Sequence, residues 1–297
     1  LGDVYKRQMY VCTTCHNMKF VPFRCKSRFC PTCGVKYSQE RSTSMAFKLV
    51  NCTHRHCVFT IDEELRHFFL EDRSLLNCLF RAVQSVILRM FNKMNQSQNF
   101  VPGFICVLHT FGRPLEWNPH IHCILSEGGF SDNAIWRPVK HFNYTYLRNA
   151  FQTALLTEME QHIGPSFKKI KAYIYHKDKN GFYVYAKPNL YDPNTVIKYI
   201  GRYLGRPVIA LKRIDSYDGE NVTFHYNRHE DNAYVKRTIP AIEFIKLLIQ
   251  PIPEKHFKMI RYYGLYARHR EIDTKLYRAI HKSKHLSLIH ISEPTRP

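Results

Sequence analysis

The sequence predicts an α+β fold: an antiparallel sheet flanked by helices, with a small zinc-ribbon-like module at the N-terminus. Three observations carry this. Residues 103–111 and 118–125 read as consecutive strands joined by a loop holding Gly112 and Pro114, an antiparallel hairpin. Residues 74–91 and 144–162 repeat apolar side chains at helical spacing. Residues 12–33 hold two Cys-x-x-Cys pairs.

Composition narrows the function. Hydrophobic residues make up 44% of the 297, enough for a packed core. Lys plus Arg number 44 against 24 Asp plus Glu, a net charge of +20 spread along the whole chain. Such a surplus favours a polyanionic partner, nucleic acid first. No basic amphipathic anchor, signal peptide or apolar run near the ~20 residues of a spanning helix stands out, which argues against a membrane partner. The ten cysteines then suit thiols or metal ligands in a reducing, cytoplasmic compartment. Residues 1–8 and 284–297 resemble translated sequencing-adapter peptides, as if the gene were interrupted at both ends, and lie outside the expected fold. Between them the expected units are a zinc-binding module at 9–45, a core at 52–239 and a basic helical region at 240–283.

In the module, Cys12, Cys15, Cys30 and Cys33 form two knuckles, each offering two thiolates to one tetrahedral Zn²⁺. Gly34 suits the tight turn after the second knuckle. Cys25 is a fifth candidate, either replacing one of the four or buried. Lys19, Arg24, Lys26 and Arg28 alternate with Phe20, Phe23 and Phe29, a mixture that suits nucleic acid or a small core. Cys52, His54, His56 and Cys57 flank the strand that continues through Ile61 and would be split between its faces, so no metal site is expected there.

The helix at 74–91 presents Leu76, Leu79, Phe80, Val83, Ile87, Met90 and Phe91 to the core. In the strand at 118–125, His120, His122 and Ile124 share one face, and Ile121, Cys123 and Leu125 the other. The two imidazoles lie ~7 Å apart along the strand and can hold one divalent cation, although a pair of core or solvated histidines gives the same pattern. His109 ends the preceding strand and completes a three-ligand site if the register sets it beside them, or is a core residue if not; Glu116 is a weaker candidate. The second helix buries Leu147, Ala150, Phe151, Ala154 and Leu155. Residues 172–176 and 182–186 read as strands joined through Asn180-Gly181.

A helix then starts at Asp192-Pro193 and ends at Gly205 ahead of Pro207. Ile197, Ile200 and Leu204 form its core stripe. Tyr199 and Tyr203 lie four apart and share a face, flanked by Lys198, Arg202 and Arg206; the alternative is a pair of rim tyrosines. Residues 208–216, 221–227 and 233–239 read as a three-strand meander turning at Asp218-Gly219, and 240–283 as helical with a break at Pro251/Pro253.

Together the parts suggest phosphodiester chemistry. A tyrosine hydroxyl, with a pKa of ~10, is a poor nucleophile near neutral pH. It can attack a phosphodiester when a divalent ion polarises the phosphate. The products are a 5′-phosphotyrosine and a free 3′-hydroxyl, and a second tyrosine allows a second strand transfer.

Several segments carry a family resemblance: Phe23 to Gly34, Val58-Phe59-Thr60-Ile61 with Glu63 to Arg66, Leu108 to Gly112, Trp117 to His122, Tyr199-Ile200-Gly201-Arg202-Tyr203, and Arg261 to Leu265. In this order they are similar to the IS91-like (IS801/IS1294-type) transposases of the HUH single-strand endonuclease superfamily, over roughly residues 10–283. The resemblance implies an antiparallel-sheet HUH nuclease core, metal-dependent cleavage of single-stranded DNA with Mg²⁺ or Mn²⁺, and rolling-circle-like transposition. It implies His120 and His122 as metal ligands and Tyr199 and Tyr203 as nucleophiles. Implied partners are single strands at transposon ends and targets, in the bacterial nucleoid. The family usually continues beyond this C-terminus. A replication initiator or relaxase shares the chemistry; a non-catalytic zinc-containing nucleic-acid-binding protein shares the charge and the module.

Overall fold

The computed structural model describes residues 7–23, 25, 30–46, 48–50, 52–94, 100–131, 135–139, 142–186, 197, 201, 208–228 and 231–267. Strands β1 (Arg7–Val11) and β2 (Met18–Pro22) form an antiparallel hairpin. Arg7 and Gln8 pair in it with Pro22 and Val21. Helix α1 (Pro31–Ala46) follows, with proline at its start, where a missing N–H costs nothing. The Gly34 N–H donates to the Cys30 carbonyl at 2.9 Å. Gly34 therefore lies in the first turn of α1, not in the tight turn expected.

The centre of the molecule is an antiparallel sheet in the order β11-β4-β5-β3-β7, with β6 paired to the outer part of β5. Its strands are β3 (His54–Thr60), β4 (Phe100–Phe111), β5 (Trp117–Ser131), β6 (Trp136–Pro138), β7 (Val184–Tyr185) and β11 (Ile260–Gly264). Along β4 and β5 both faces are buried, which explains their nearly continuous apolar runs.

The larger face packs Phe59, Phe104, Cys106, Leu108, Ile121, Cys123 and Leu125 against α2 (Arg66–Glu71), α3 (Leu76–Met94), α4 (Tyr144–Ile163) and α5 (Lys168–Lys177). Each such side chain contributes about 1.5–3 kcal/mol on burial. Phe59 meets Phe151 of α4 edge to face at 5.1 Å. The segment Arg73–Met94 is long and apolar enough to span a bilayer by length and composition; here its apolar residues fill this core. Arg55 is buried beside it, paired with Glu127 at 2.7 Å and donating to the Tyr144 hydroxyl and the Ala186 carbonyl.

The smaller face packs Ile105, Val107 and Ile124 beneath Met45 of α1, Ile197 and Tyr266. Ile197 and Gly201, both helical, lie one turn apart on the same side of their segment. The Ser38 hydroxyl of α1 donates to the Gly201 carbonyl at 2.6 Å. A side chain at Gly201 would collide with the Ser42 hydroxyl, so glycine permits this close approach. Lys198, Tyr199, Arg202, Tyr203 and Arg206, which carry the tyrosine expectation, lie outside the described residues.

A three-stranded sheet of β8 (Ile214–Tyr217), β9 (Asn221–Asn227) and β10 (Tyr234–Pro240) matches the expected meander, although its first strand is shorter. It packs with α6 (Ala241–Ile249) around Leu115, Val222, Phe224 and Phe244.

Two further expectations are overturned. Residues 168–177 are helical, not a strand: Ile170 and Ile174 sit one turn apart toward the core while Tyr173 points to solvent, and Asn180-Gly181 follows the helix end. Strand β7 pairs instead with β3. Residues 260–264, expected to be helical, pair with β4 as the edge strand, because Tyr263 and Tyr262 reach opposite cores.

Adding bulk at the α1 contact tests this packing. Gly201→Val is expected to destabilise the chain by about 1–3 kcal/mol through overpacking, and Ser42→Ala should recover part of the loss in Gly201→Ala. Urea unfolding measures both.

Candidate metal centre and zinc module

The hairpin register places His109 directly opposite His120. Both point to the smaller sheet face, as does His122 two residues on. One ligand nitrogen from each of the three histidines lies within 4.8 Å of the others. The His109 ring centroid is 4.1 Å from that of His122 and 5.5 Å from that of His120. The Nε2 atoms of His120 and His122 are 3.1 Å apart. The structure thus brings together the two histidines of the His-x-His strand and the neighbouring His109. Glu116 is elsewhere, paired with Arg237 at 3.2 Å.

Burial favours the neutral form of His120 and His122. It is the main cause lowering the pKa of His122 well below the usual range, and the charges of His109, His120 and His56 add to it. The His120 pKa is lowered first by burial and further by Arg66, against the Asn118 carbonyl that raises it. Neutral imidazoles are the form that binds cations.

The outer hydrogen bonds orient the inner nitrogens. His120 Nδ1 lies 2.7 Å from the Asn118 carbonyl, which can only accept. Nδ1 therefore carries the proton, and Nε2 presents its lone pair inward. His122 Nδ1 lies 2.9 Å from His56 Nε2, with the two rings stacked. If His122 donates there, its Nε2 lone pair also faces inward, and two lone pairs 3.1 Å apart call for a cation between them. Without a cation, the same three rings make a chain in which His56 donates to His122 and His122 to His120.

His56 is the residue that sequence reading missed. Grouping Cys52, His54, His56 and Cys57 as one split cluster hid the shared face of His54 and His56. His54 on that face is engaged separately: its Nδ1 lies 2.9 Å from the Cys52 carbonyl and its Nε2 2.6 Å from the Tyr266 hydroxyl.

In the N-terminal module, the sulfurs of Cys25, Cys30 and Cys33 cluster within 4.8 Å. Cys25 and Cys33 are 3.6 Å apart, and the Cys33 N–H points to the Cys30 sulfur at 3.5 Å, a contact that stabilises a thiolate. Cys12 and Cys15 stand apart from this cluster, exposed on the β1–β2 turn, where N–H groups of Cys15 and Thr14 lower the Cys12 pKa. The clustered trio therefore contains Cys25 and omits the first pair. Soft sulfur donors converging in this way fit Zn²⁺. Phe20 and Phe23 are exposed. Arg24, Lys26, Arg28 and Phe29 lie outside the described residues.

The structure is that of a basic α+β protein in which a cysteine module precedes a histidine-bearing antiparallel sheet. Comparison with known proteins refines that class. A family described as "Putative transposase" matches residues 103–273, and a "Transposase zinc-binding domain" matches residues 4–61. The chain is 28% identical over 267 residues to the "Transposase for insertion sequence element IS801" of Pseudomonas savastanoi pv. phaseolicola, covering 86% of this chain and 64% of that protein. It is 28% identical over 281 residues to the "Putative transposase y4qJ" of Sinorhizobium fredii, covering 88% of this chain and 70% of that protein. No solved structure matches. The chain belongs to the IS91-like transposase family, and its N-terminal module is the family's zinc-binding domain.

Two outcomes follow. Cys30→Ser and Cys33→Ser should each lose stoichiometric zinc and lower the melting temperature, as metal analysis and calorimetry would show. Burial also depresses the His54 and His56 pKa values to about 4, below the unfolded value of 6.5. Between those values the unfolded chain binds protons that the native chain does not, so stability rises with pH through this window and is full above it. The loss on acidification is on the order of 3 kcal/mol per ring. Urea titrations in EDTA at pH 7 and pH 4.5 measure it, and His54→Gln should flatten the dependence.

Proposed function

We propose that this chain cuts and rejoins single-stranded DNA through a tyrosine nucleophile, as the nuclease of a rolling-circle-like transposase. The carrying observation is the convergence of His109, His120 and His122 on the face that Ile197 covers, two residues before Tyr199. The chain spans 64% of the length of one curated relative and 70% of the other, so this activity is a reading of the site.

His109, His120 and His122 would hold the catalytic cation, Mg²⁺ or Mn²⁺, and His56 would fix the His122 tautomer. When bound, such a cation polarises the scissile phosphate and offsets charge on the leaving oxygen. Tyr199 or Tyr203 gives up its hydroxyl proton and attacks phosphorus. The P–O3′ bond breaks, the 3′ oxygen leaves with the electron pair and takes a proton, and a 5′-phosphotyrosine ester remains. Reversal by another 3′-hydroxyl rejoins the strand, and the second tyrosine repeats the exchange before the first is released. Lys198, Arg202 and Arg206 would hold the strand's phosphates, and the net charge of +20 favours binding to strands at element ends and targets. The cysteine module, with Zn²⁺ on four sulfurs drawn from Cys12, Cys15, Cys25, Cys30 and Cys33, would grip DNA beside the core. The working place is the bacterial nucleoid.

The donor set ranks the cations. Mg²⁺ demands oxygen ligands, and a wholly imidazole protein set disfavours it; Mn²⁺ lies further toward nitrogen donors in affinity. Mn²⁺ should therefore support cleavage at lower concentration than Mg²⁺.

The test is a denaturing-gel assay for a covalent protein–DNA adduct with single-stranded oligonucleotides from the element's ends. A metal-dependent adduct should form and disappear in the Tyr199→Phe/Tyr203→Phe double variant. His120→Ala should cut the rate at least about a hundredfold while leaving DNA binding. Binding with no adduct under any metal would defeat the reading.

A further inference from the structure

At the end of β3 lies a cleft that the chemistry above leaves unused. Its volume is about 320 Å³, and its walls include Thr60, Asp62, Arg66, Arg148, Asp178 and Tyr183. Thr60 ends β3 directly across from His120, so the cleft opens at the histidine end of the sheet. Arg66 begins α2, and its charge reaches His120. Arg148 comes from α4, its guanidinium 5.3 Å over the Tyr183 ring. Gly181 lets the loop after α5 close on α4: its φ is +75°, and a side chain there would strike the Arg148 backbone.

The two arginines of the cleft lack an acidic partner among the described residues. Arg55, Arg81, Arg228 and Arg237 each meet a carboxylate. Arg66 and Arg148 meet none among the described residues, and the Nε of each is buried without a hydrogen-bond partner. Both side chains are only part-buried where they line the cleft, so their remaining guanidinium N–H groups can reach an acceptor there. The acids of the cleft do not supply it. Asp62 takes Lys177 at 3.0 Å and caps the turn through the Glu64 N–H at 2.9 Å. Lys177 also lies 4.0 Å from Glu63 and 3.9 Å from Glu64, and burial with the neighbouring charge of Asp62 raises the Asp178 pKa.

We propose that this cleft seats one backbone phosphate of the bound single strand, with Arg66 and Arg148 donating to its oxygens. The class fits the donors: guanidinium N–H groups match phosphate oxygens in geometry and charge. Phosphate contacts set the register of a strand without reading its sequence. A seat here would fix which phosphate along the strand reaches the histidines. The inference rests on the reading that the chain binds single-stranded DNA.

The test uses a fluorescein-labelled, mixed-sequence single strand and anisotropy across a range of salt, with the zinc-loaded chain and no added Mg²⁺ or Mn²⁺. Arg66→Ala and Arg148→Ala should each weaken binding about tenfold, equally for different sequences. The double variant should lower the slope of log affinity against log salt by about 0.7, one single-strand phosphate contact. Arg66→Lys and Arg148→Lys should keep the slope. A neutral methylphosphonate at one strand position should reproduce the loss in the native chain and have no effect in the double variant. An unchanged slope in a double variant of native melting temperature would overturn the proposal. So would a loss that follows an abasic position and not a neutral phosphate, which would make the cleft a nucleobase pocket. The assay needs neither the cation nor the tyrosines, so failure of the adduct experiment leaves this result independent.

Discussion

The pairing of β4 with β5 is the constraint on which the candidate site depends. Strand side chains alternate, so one register decision assigns every residue of both strands to a face. Phe104, Cys106, Leu108, Ile121, Cys123 and Leu125 must all enter the larger core, since exposing them would forfeit the burial that holds α3 and α4 in place. Once they do, His109, His120 and His122 have no choice but the opposite face, and the His109–His120 pairing sets them side by side. A slip of one residue would carry the imidazoles into the apolar core and the apolar set out of it. The energy that specifies the histidine cluster is therefore hydrophobic and lies on the other side of the sheet.

Burial then decides the chemical state of the cluster. Three imidazoles at close range would repel one another if charged, and desolvation adds to that repulsion, so neutral rings are favoured. Neutral rings have one lone pair each, and its direction depends on the partner of the other nitrogen. The Asn118 carbonyl orients His120, and for His122 the direction follows from which of the two rings carries the proton between it and His56 on a neighbouring strand. The site is thus a property of three strands, β3, β4 and β5, and not of the His-x-His segment alone.

The smaller face shows how distant parts of the chain are tied to that site. Met45 from the helix that follows the cysteine module, Ile197 and Gly201 from the tyrosine-bearing stretch, and Tyr266 after the edge strand all close on it. Tyr266 also bonds to His54, linking the last described residues to β3. The zinc-binding domain and the sheet share a core through α1, so the module's fold and the geometry over the histidines are mechanically connected.

Much of this was legible along the chain. A short apolar run revealed β4, period-two alternation β5, strand runs with a turn signal the meander, helical spacing α3 and α4, and Cys-x-x-Cys spacing the module, because these are local patterns set by backbone geometry. Local patterns misled where tertiary contacts prevail. Tyr and Ile residues at 172–175 look like a strand but are helical, since Ile170 and Ile174, one turn apart, both reach the core while Tyr173 stays exposed. The segment 260–264 looks helical beside its basic neighbours but becomes a strand, since the open edge of β4 needs partners for its backbone groups. Which cysteines cluster, and that His56 supports His122, depended on approaches between residues far apart in sequence. The sequence by itself determined the residue types, their spacing and the faces they share, because alternation and helical periodicity are properties of one segment. Only the tertiary structure decided that His109 meets His120 and His122, and that Arg66 and Arg148 face a common cleft, because register and helix docking are settled by the burial of whole faces.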